Sequence, residues 1–260
     1  MFMSPRQAQI VELAKSSGRL FVEGLAERFD VTPQTIRRDL NELCDSGKLV
    51  RVHGGALYPT TNENVQYEKR RLIAADSKQA IGSTAAALIP DNASLFINIG
   101  TTTEAVAKAL LQHRNLLVVT NNINVANILR ASPSNEVVLS GGVVRHSDGA
   151  LVGDAAVDFF NRFTVDFAVI GASAIDADGS LLDYDMREVR VAQAIMANAQ
   201  SIILVSDSTK FNRRAPLRIA HVSQIDTFVT DHCGDPQFRT LLETNKVRLI
   251  ETGDHQSALE

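Results

Sequence analysis

Two patterns of apolar and polar residues divide the chain. In the first part, apolar residues recur at helical spacing, and Ile36, Leu40 and Leu43 stand at positions i, i+4 and i+7. Further along, short apolar runs such as residues 95–99 alternate with segments of helical pattern. Runs of this length are typical of strands buried on both faces. The second part therefore predicts a mostly parallel sheet with helices on both sides.

The apolar stripe of the first part belongs to a predicted helix with a marked start. Thr32 can cap the first free N–H groups, and Pro33 suits the first helical position. At about 100° per residue, Gln34, Arg38 and Asn41 fall on the face opposite the stripe. Side chains of these types read the edges of DNA bases. On this helix alone, an ordinary amphipathic surface helix is an equally open interpretation.

The flanking segments favour a DNA-binding unit. Ser4 and Gln7 form a capping box for a first helix, and a second short helix leads by a tight turn into the helix at Thr32, which is the helix-turn-helix arrangement. Residues 49–56 predict a strand and a turn, which would form a wing whose basic residues lie near phosphates. The candidate DNA contacts are Thr32, Gln34, Thr35, Arg37, Arg38, Asn41, Lys48, Arg51 and His53.

A polar segment without periodicity separates the two parts. Residues 58–66 include a proline and predict a linker between a domain of residues 1–57 and a domain of residues 67–260. Directly after the linker, residues 67–89 have helical composition, and Pro90 ends the predicted helix. We assign this helix no chemistry.

Composition narrows the class of protein. The 260 residues carry a formal net charge of −4, and 45% of them are hydrophobic. This charge argues against a protein that coats nucleic acid or membranes indiscriminately. Cys44 and Cys233 form no C-x-x-C pair, and no apolar run approaches the ~20 residues of a membrane-spanning helix. We expect a cytoplasmic protein without a membrane partner.

Polar loops follow the predicted strands at the ends where parallel sheets bind ligands. Glycine allows close approach of the backbone, threonine hydroxyls and helix-start N–H groups can bind a phosphate, and Lys210 adds a positive charge. One such loop is usually structural, but five at successive strand ends can converge on one pocket. The candidate ligand-binding residues are Gly100, Thr101, Thr102, Thr103, Thr120, Asn121, Asn122, Gly141, Gly142, Ser173, Asp176, Asp183 and Lys210.

No standard catalytic or cofactor signature accompanies these loops. The phosphate-binding pattern G-x-x-x-x-G-K-[ST] is absent, and the six histidines show no metal-ligand spacing. Asp176, Asp178 and Asp183 could bind a metal, but carboxylates that form turns or bind hydroxyls are the favoured interpretation. We therefore expect no metal, no cofactor and no catalytic residue.

The helix motif of residues 32–40, with residues 53–56 behind it, resembles the DeoR family of bacterial transcription repressors. This resemblance implies an N-terminal winged helix-turn-helix followed by a mostly parallel α/β sensor domain that resembles ribose-5-phosphate isomerase. It also implies two partners, operator DNA and a small phosphorylated effector. Ala14 departs from the family pattern, in which a larger aliphatic residue is expected.

The resemblance further implies binding without turnover. The isomerase carries Asp-Gly-Ala-Asp where this chain reads residues 170–173, so both aspartates are missing. Ile170 cannot titrate, and Ser173 is a poor base unaided. Within the family, residues 95–102, 120–127 and 178–185 indicate sn-glycerol 3-phosphate as the effector, which relieves operator binding.

Two alternatives remain open from the sequence. Besides the repressor that responds to sn-glycerol 3-phosphate, the chain could be a repressor that responds to another sugar phosphate or an active phosphosugar isomerase-like enzyme. We also expect a homo-oligomer, since one recognition helix reads too few bases and paired half-sites supply the rest.

Overall fold

The computed structural model describes residues 3–17, 19–46, 48–52, 54–57, 67–211 and 213–252. The chain forms two compact units, Met1–Asn64 and Val65–Glu260. The predicted linker of residues 58–66 lies outside the described residues. In the part of the chain that is described, no helix is both long and apolar enough to cross a lipid bilayer.

Helices and a small antiparallel sheet form the first unit. In chain order, its elements are α1 (Pro5–Ser17), β1 (Arg19–Phe21), α2 (Val22–Phe29), α3 (Pro33–Asp45), β2 (Val50–Val52) and β3 (Gly55–Leu57). The sheet has the order β1-β3-β2, and both of its pairings are antiparallel. The predicted helix-turn-helix and wing are thus confirmed.

Local capping explains where these helices begin. Ser4 N donates to Gln7 Oε1 over 3.0 Å and Gln7 N donates to Ser4 Oγ over 3.1 Å, which confirms the capping box. At α3, Thr35 N donates to Thr32 Oγ1 over 3.3 Å. Helix α2 has no such cap, because its preceding residue Phe21 makes no side-chain hydrogen bond to it. Ala14 is fully buried in the core of the unit.

A parallel sheet with helices on both faces forms the second unit. Its elements are α4 (Tyr67–Leu72), α5 (Ala75–Ala86), β4 (Ser94–Ile97), α6 (Thr101–Ala109), β5 (Leu117–Thr120), α7 (Ile123–Leu129), β6 (Glu136–Leu139), β7 (Val143–Val144), β8 (Leu151–Val152), α8 (Asp154–Phe160), β9 (Val165–Ile170), β10 (Ala174–Ile175), β11 (Ser180–Asp183), α9 (Met186–Ala197), β12 (Ala199–Val205), β13 (Leu217–His221), β14 (Thr227–Thr230), α10 (Pro236–Thr244) and β15 (Arg248–Glu251). The main sheet has seven parallel strands in the order β15-β14-β12-β9-β4-β5-β6.

Strand β4 shows why its sequence is an uninterrupted apolar run. Leu95 and Ile97 face a core formed with α5, α6 and α7, whereas Phe96 faces a core formed with α8, α9 and α10. All three side chains are fully buried. The strand is therefore covered on both faces, as the sequence predicts.

The sequence prediction of this unit is incomplete in four respects. Strands β14 and β15 extend the main sheet, β10, β11 and β13 form an additional antiparallel sheet, and β7 and β8 form an antiparallel pair. The single helix predicted for residues 67–89 is two helices, α4 and α5. The chain turns between them at Ala74, which has a left-handed backbone with φ of 51°. No glycine or proline marks this break, so the sequence gives no local signal for it.

Candidate functional site

The outer face of α3 presents the predicted base-reading side chains. Gln34, Arg37, Arg38 and Asn41 are exposed, opposite the buried stripe. The Arg38 side chain is 84% exposed, and its Nε lies 3.3 Å from Glu42 Oε1 one turn later. The structure thus places these four residues on one free face, and their contacts with DNA remain predictions.

The remaining predicted DNA contacts differ in position. The hydroxyls of Thr32 and Thr35 lie 2.9 Å apart at the start of α3. Lys48 is half-buried ahead of β2, and Arg51 lies within β2. His53 lies outside the described residues.

The inner side of α3 is fixed to α1 by polar contacts that the sequence analysis missed. Arg6 Nε donates to Asp39 Oδ2 over 2.6 Å, and Gln7 Nε2 donates to Glu42 Oε2 over 2.7 Å. Asp39 is buried beneath the recognition face. These contacts orient α3 on the rest of the unit.

In the second unit, the main sheet reverses its strand order at β4. The chain proceeds from β4 to β5 on one side, and β9 adjoins β4 on the other, so the carboxyl ends of β4 and β9 flank a crevice of the kind that binds ligands. Gly171, which follows β9, lies at this crevice. A Cβ added to it would lie 3.8 Å from Ile99 O, which follows β4, and 3.8 Å from Val205 O, at the end of β12. The loops after β4, β9 and β12 therefore meet at one place.

The predicted phosphate loop follows β4. Gly100 has φ of 142°, which favours glycine, and α6 begins directly after it at Thr101. The hydroxyl of the buried Thr103 donates to Asn98 O and Gly100 O, at 2.8 Å from each. Thr103 thus holds the loop itself. Thr101, the buried Thr102 and the first N–H groups of α6 are the parts of the loop available for an anion.

A cluster of cationic side chains surrounds the turn after β12. The pKa of Lys210 is lowered to about 8, chiefly by burial and also by the positive charges of Arg213, Lys78 and Arg70, whereas Asp207 opposes the shift. Burial likewise lowers the pKa of Lys78, and Asp207 again opposes the shift. The geometry agrees, because Lys78 Nζ lies 3.9 Å from Asp207 Oδ2 and Arg213 Nη2 donates to Thr209 Oγ1 over 3.3 Å in the same turn. The crevice therefore favours an anion.

Asp207 anchors this cluster. Its Oδ1 accepts hydrogen bonds from Thr209 N over 3.1 Å and from Thr209 Oγ1 over 2.5 Å. Its Oδ2 is buried, accepts no hydrogen bond and lies 3.9 Å from Lys78 Nζ. A buried acceptor without a donor is costly, so this oxygen favours a ligand that brings a donor.

A second polar network joins the first turns of α4, α6 and α7. Glu104 Oε2 accepts a hydrogen bond from Tyr67 OH over 2.6 Å, and Glu104 Oε1 accepts from Asn124 Nδ2 over 3.1 Å. Asn122 Nδ2 approaches the same Oε1 to 3.4 Å. Glu104 is buried. Both oxygens of this carboxylate are therefore engaged within the network, and Glu104 lines the same cavity as Lys78.

Arg145 forms ion pairs with three carboxylates, one before β8 and two at the start of α9. It contacts Asp148 through two hydrogen bonds of 2.6 and 2.9 Å and lies 3.3 Å from Asp185. Its Nη1 is also 2.7 Å from Glu188 Oε2, although that oxygen has no partner with hydrogen-bond geometry. The pKa of Glu188 is raised to about 8, chiefly by burial and also by the charge of Asp183, whereas Arg145 opposes the rise.

Several predicted ligand residues instead hold the fold together. Thr120 Oγ1 donates to Ile97 O over 2.6 Å, and Asn121 Nδ2 donates to Leu151 O over 3.1 Å. Asn122 caps α7 by accepting from two backbone N–H groups. Thr120 and Asn122 are buried and engaged internally, so we leave them out of the effector site, whereas Asn121 Oδ1 is buried without a partner and Asn121 stays a predicted ligand residue.

The two glycines after β6 are also displaced from the crevice. Gly141 and Gly142 are exposed and follow the edge strand of the main sheet, two strands from β4. A Cβ on Gly142 would lie 2.9 Å from Val152 O. This glycine therefore allows the close approach of β8, and we leave both glycines out of the site.

The hairpin of β10 and β11 separates two predicted aspartates. Asp183 is buried at the end where Ser173 N donates to Leu182 O over 3.0 Å, and its Oδ1 accepts from Tyr184 N over 2.6 Å. Asp176 is exposed at the opposite end, where its Oδ1 accepts from Ala177 N. Ser173 and Asp183 thus stay in the candidate site, whereas Asp176 forms a turn. No group of three potential metal ligands occurs among the described residues.

Some of the missed residues carried a signal in the sequence. Ile81 and Ala85 follow Lys78 at intervals of three and seven residues, so the three side chains share one face of α5. This face is buried, and Lys78 therefore places a charge on it. A charged residue within an apolar stripe is rarely buried without a partner, which marks it as a functional candidate. Arg70 and Arg145 carry no comparable pattern.

Comparisons with known proteins agree with both units. Residues 6–62 match the DeoR-like helix-turn-helix domain, and residues 73–232 match the DeoR C terminal sensor domain. The glycerol-3-phosphate regulon repressor of Escherichia coli (strain K12) is 44% identical over 231 residues, which are 89% of this chain and 92% of the relative. The repressor of the same name from Haemophilus influenzae is 46% identical over 230 residues, which are 88% of this chain and 90% of the relative.

Among solved structures, ribose 5-phosphate isomerase A from Neisseria gonorrhoeae is similar with a TM-score of 0.38, at 15% identity over 54% of each chain. The relatives of high identity are transcriptional repressors, so the chain is a regulator that binds operator DNA and a small-molecule effector, and not an enzyme. On the match of both domain models and of these relatives, the chain belongs to the DeoR family of transcriptional repressors.

Proposed function

We propose that this repressor responds to sn-glycerol 3-phosphate, which binds in the crevice and weakens operator binding. The observation that carries the proposal is the position of four cationic residues around Asp207. Lys78 Nζ lies 3.9 Å from Asp207 Oδ2 and donates to Arg70 O, Lys210 follows in the same turn, and Arg213 Nη2 donates to Thr209 Oγ1 over 3.3 Å. Lys78 also lines one cavity with Thr101 at the start of α6. A phosphate dianion matches this charge. The names of the relatives from E. coli and H. influenzae support glycerol 3-phosphate as the particular phosphorylated metabolite.

Each part of the ligand has a proposed set of partners. The phosphate lies against Thr101, Thr102, the start of α6, and Lys210. The glycerol hydroxyls donate to acceptors at the rim of the cluster, and the free Asp207 Oδ2 and the Asp183 carboxylate are the proposed ones. A neutral polyol leaves the cations without a counter-charge and should therefore bind far more weakly.

We further propose that the active form is at least a dimer and that it acts in the cytoplasm, where operator DNA is found. One α3 helix reads only a few base pairs, so two copies on paired half-sites give the required specificity. Sedimentation of the purified protein with and without operator DNA tests this part, and a monomer on a single half-site would contradict it.

The central experiment couples operator binding to ligand binding. Operator fragments are first selected from genomic DNA with the purified protein and then used in fluorescence anisotropy titrations. We expect glycerol 3-phosphate to weaken operator binding by about tenfold or more, and glycerol or inorganic phosphate alone to act much less. Release by a hexose or pentose phosphate but not by glycerol 3-phosphate would show a repressor with a different effector. Operator binding that no phosphorylated metabolite alters would refute the sensing role.

A further inference from the structure

Helix α4 is held by the residues that surround the effector site. It is the first described element after residues 58–66, the segment that leads to the DNA-binding unit. At its start, Tyr67 OH donates to Glu104 Oε2 over 2.6 Å and accepts from Asn124 Nδ2 over 3.1 Å. The first turn of α4 is thus attached to the start of α6 and to α7.

The end of α4 is attached to the cationic cluster. Lys78 Nζ donates to Arg70 O over 2.5 Å and to Ile73 O over 2.7 Å, so a cation of the cluster caps the last carbonyls of α4. Arg70 Nη2 lies 3.1 Å from Asp148 Oδ2. Arg70 Nε is buried and donates no hydrogen bond. One donor of this helix therefore remains available to an anion.

Apolar packing contributes little to this attachment. Leu72 is 79% exposed and Ile73 is 38% exposed. The position of α4 therefore depends chiefly on polar contacts whose strength follows the charges around them. Besides burial, the charges of Arg70 and Arg213 lower the pKa of both Lys78 and Lys210, and Asp207 only partly opposes this repulsion. A bound anion converts this repulsion into attraction.

We propose that α4 is an effector-dependent clamp: the bound phosphate draws Arg70 and Lys78 together, fixes α4 on the sensor unit, and makes the docked helix the form with low operator affinity. Arg70 is then a ligand-binding residue, and Tyr67 is a positioning residue that does not touch the ligand. This inference rests on the proposed function, since glycerol 3-phosphate is the anion. A ligand shifts the two forms only through its different affinity for them, and the Arg70 contact supplies that difference.

The test is hydrogen–deuterium exchange of the full-length protein with and without saturating glycerol 3-phosphate, alongside calorimetry of ligand binding. We expect the ligand to slow amide exchange in α4 by about tenfold. In Tyr67→Phe, saturating ligand should weaken operator binding by about tenfold less than in the wild type, and the ligand affinity of the DNA-free protein should fall by a similar factor, because the coupling is reciprocal. Leu72→Ala is the matched control on the same helix, and it should behave as the wild type does.

The outcomes separate the clamp from the proposed effector. A protein that shows no heat of binding with glycerol 3-phosphate refutes the effector and this inference together. If the ligand binds and releases operator while α4 exchange stays equal or becomes faster, only the clamp is refuted. Full release of operator by the ligand in Tyr67→Phe also refutes the clamp and leaves the effector site intact.

Discussion

Lys78 Nζ lies 3.9 Å from Asp207 Oδ2, and the two side chains are only 5% and 0% exposed. This distance is too long for a hydrogen bond, and Asp207 Oδ2 has no other donor. The pair thus presents an ammonium group and an unsatisfied carboxylate oxygen next to each other. A molecule with an anionic group beside a hydroxyl satisfies both. This combination suits a polyol phosphate better than free phosphate.

The depressed pKa of Lys210 gives effector binding a pH dependence. The pKa of Lys210 is about 8 in the folded chain against 10.5 for an ordinary lysine. A bound phosphate favours the charged amine, so affinity should be full below pH 8 and should fall as the free site loses its proton above pH 8. We expect affinity to be about tenfold weaker at about pH 9 than at about pH 7, as measured by calorimetry.

The control for this prediction is Lys210→Arg, which keeps its charge throughout that range and should remove most of the pH dependence. Whereas effector affinity falls as the pH rises, the contribution of Lys210 to folding stability should rise. Between pH 8 and 10.5 the unfolded chain binds more protons at Lys210 than the folded chain, so this residue favours folding increasingly as the pH rises. An affinity that stays constant across this range in the wild type would contradict a role for Lys210.

Close packing of α5 on α6 depends on Gly82. A Cβ at this position would lie 2.6 Å from the carbonyl carbon of Ala105 and 2.7 Å from its oxygen. Because these are backbone atoms, Gly82→Ala must push the helices apart, and we expect it to lower the free energy of unfolding by about 1–3 kcal/mol. It should also weaken effector binding, since α5 carries Lys78 and α6 carries Glu104. Denaturant unfolding and calorimetry measure the two effects.

Gly24→Ala is the matched control for that substitution. Gly24 lies in α2, and a Cβ there meets no atom within 4 Å. The change should preserve or raise stability by about 0.5–1 kcal/mol, because alanine favours a helix over glycine. Equal destabilisation by both substitutions would contradict the prediction, because it would show that the contact between α5 and α6 does not determine the result.

Features that depend on neighbouring residues were predicted from the sequence, and those that depend on distant residues were not. The start of α3 at Thr32 and Pro33 follows from local capping, and β4 follows from its apolar run. Strands β14 and β15 complete the main sheet but are short and bounded by polar residues. Their place is determined by pairing across the sheet, which a local pattern does not contain.

In the effector site, too, the sequence predicted what depends on neighbouring residues and missed what depends on distant ones. The loop after β4 and Lys210 were predicted because strand ends and glycine-threonine turns are visible in the sequence. Asp176 and Asp183 are equivalent by pattern, yet the hairpin of β10 and β11 places them at opposite ends. Arg70 and Arg145 reach Asp148 from different parts of the chain. Only the folded arrangement shows that these side chains belong together.

Operator recognition should separate base reading from phosphate binding. Arg38 lies on the exposed face of α3, whereas Lys48 precedes the wing. We expect Arg38→Ala to weaken binding to the operator by about 1–3 kcal/mol while binding to random DNA changes little. Lys48→Ala should weaken binding to both kinds of DNA alike and lower the dependence on salt. Equal losses on operator and random DNA for Arg38→Ala would refute its base-reading role.

Discrimination between glycerol 3-phosphate and glycerol tests the site as a whole. Thr102 is buried at the start of α6, and Lys210 belongs to the cationic cluster, so both are expected to act on the phosphate. Lys210→Ala and Thr102→Val should therefore weaken binding of glycerol 3-phosphate and leave the already weak binding of glycerol unchanged. Asp176→Ala is the matched control, because this carboxylate is exposed at the far end of the hairpin. Calorimetry with both ligands decides the matter. Equal affinity for glycerol and its phosphate, or normal binding by both variants, would place the effector elsewhere in the protein.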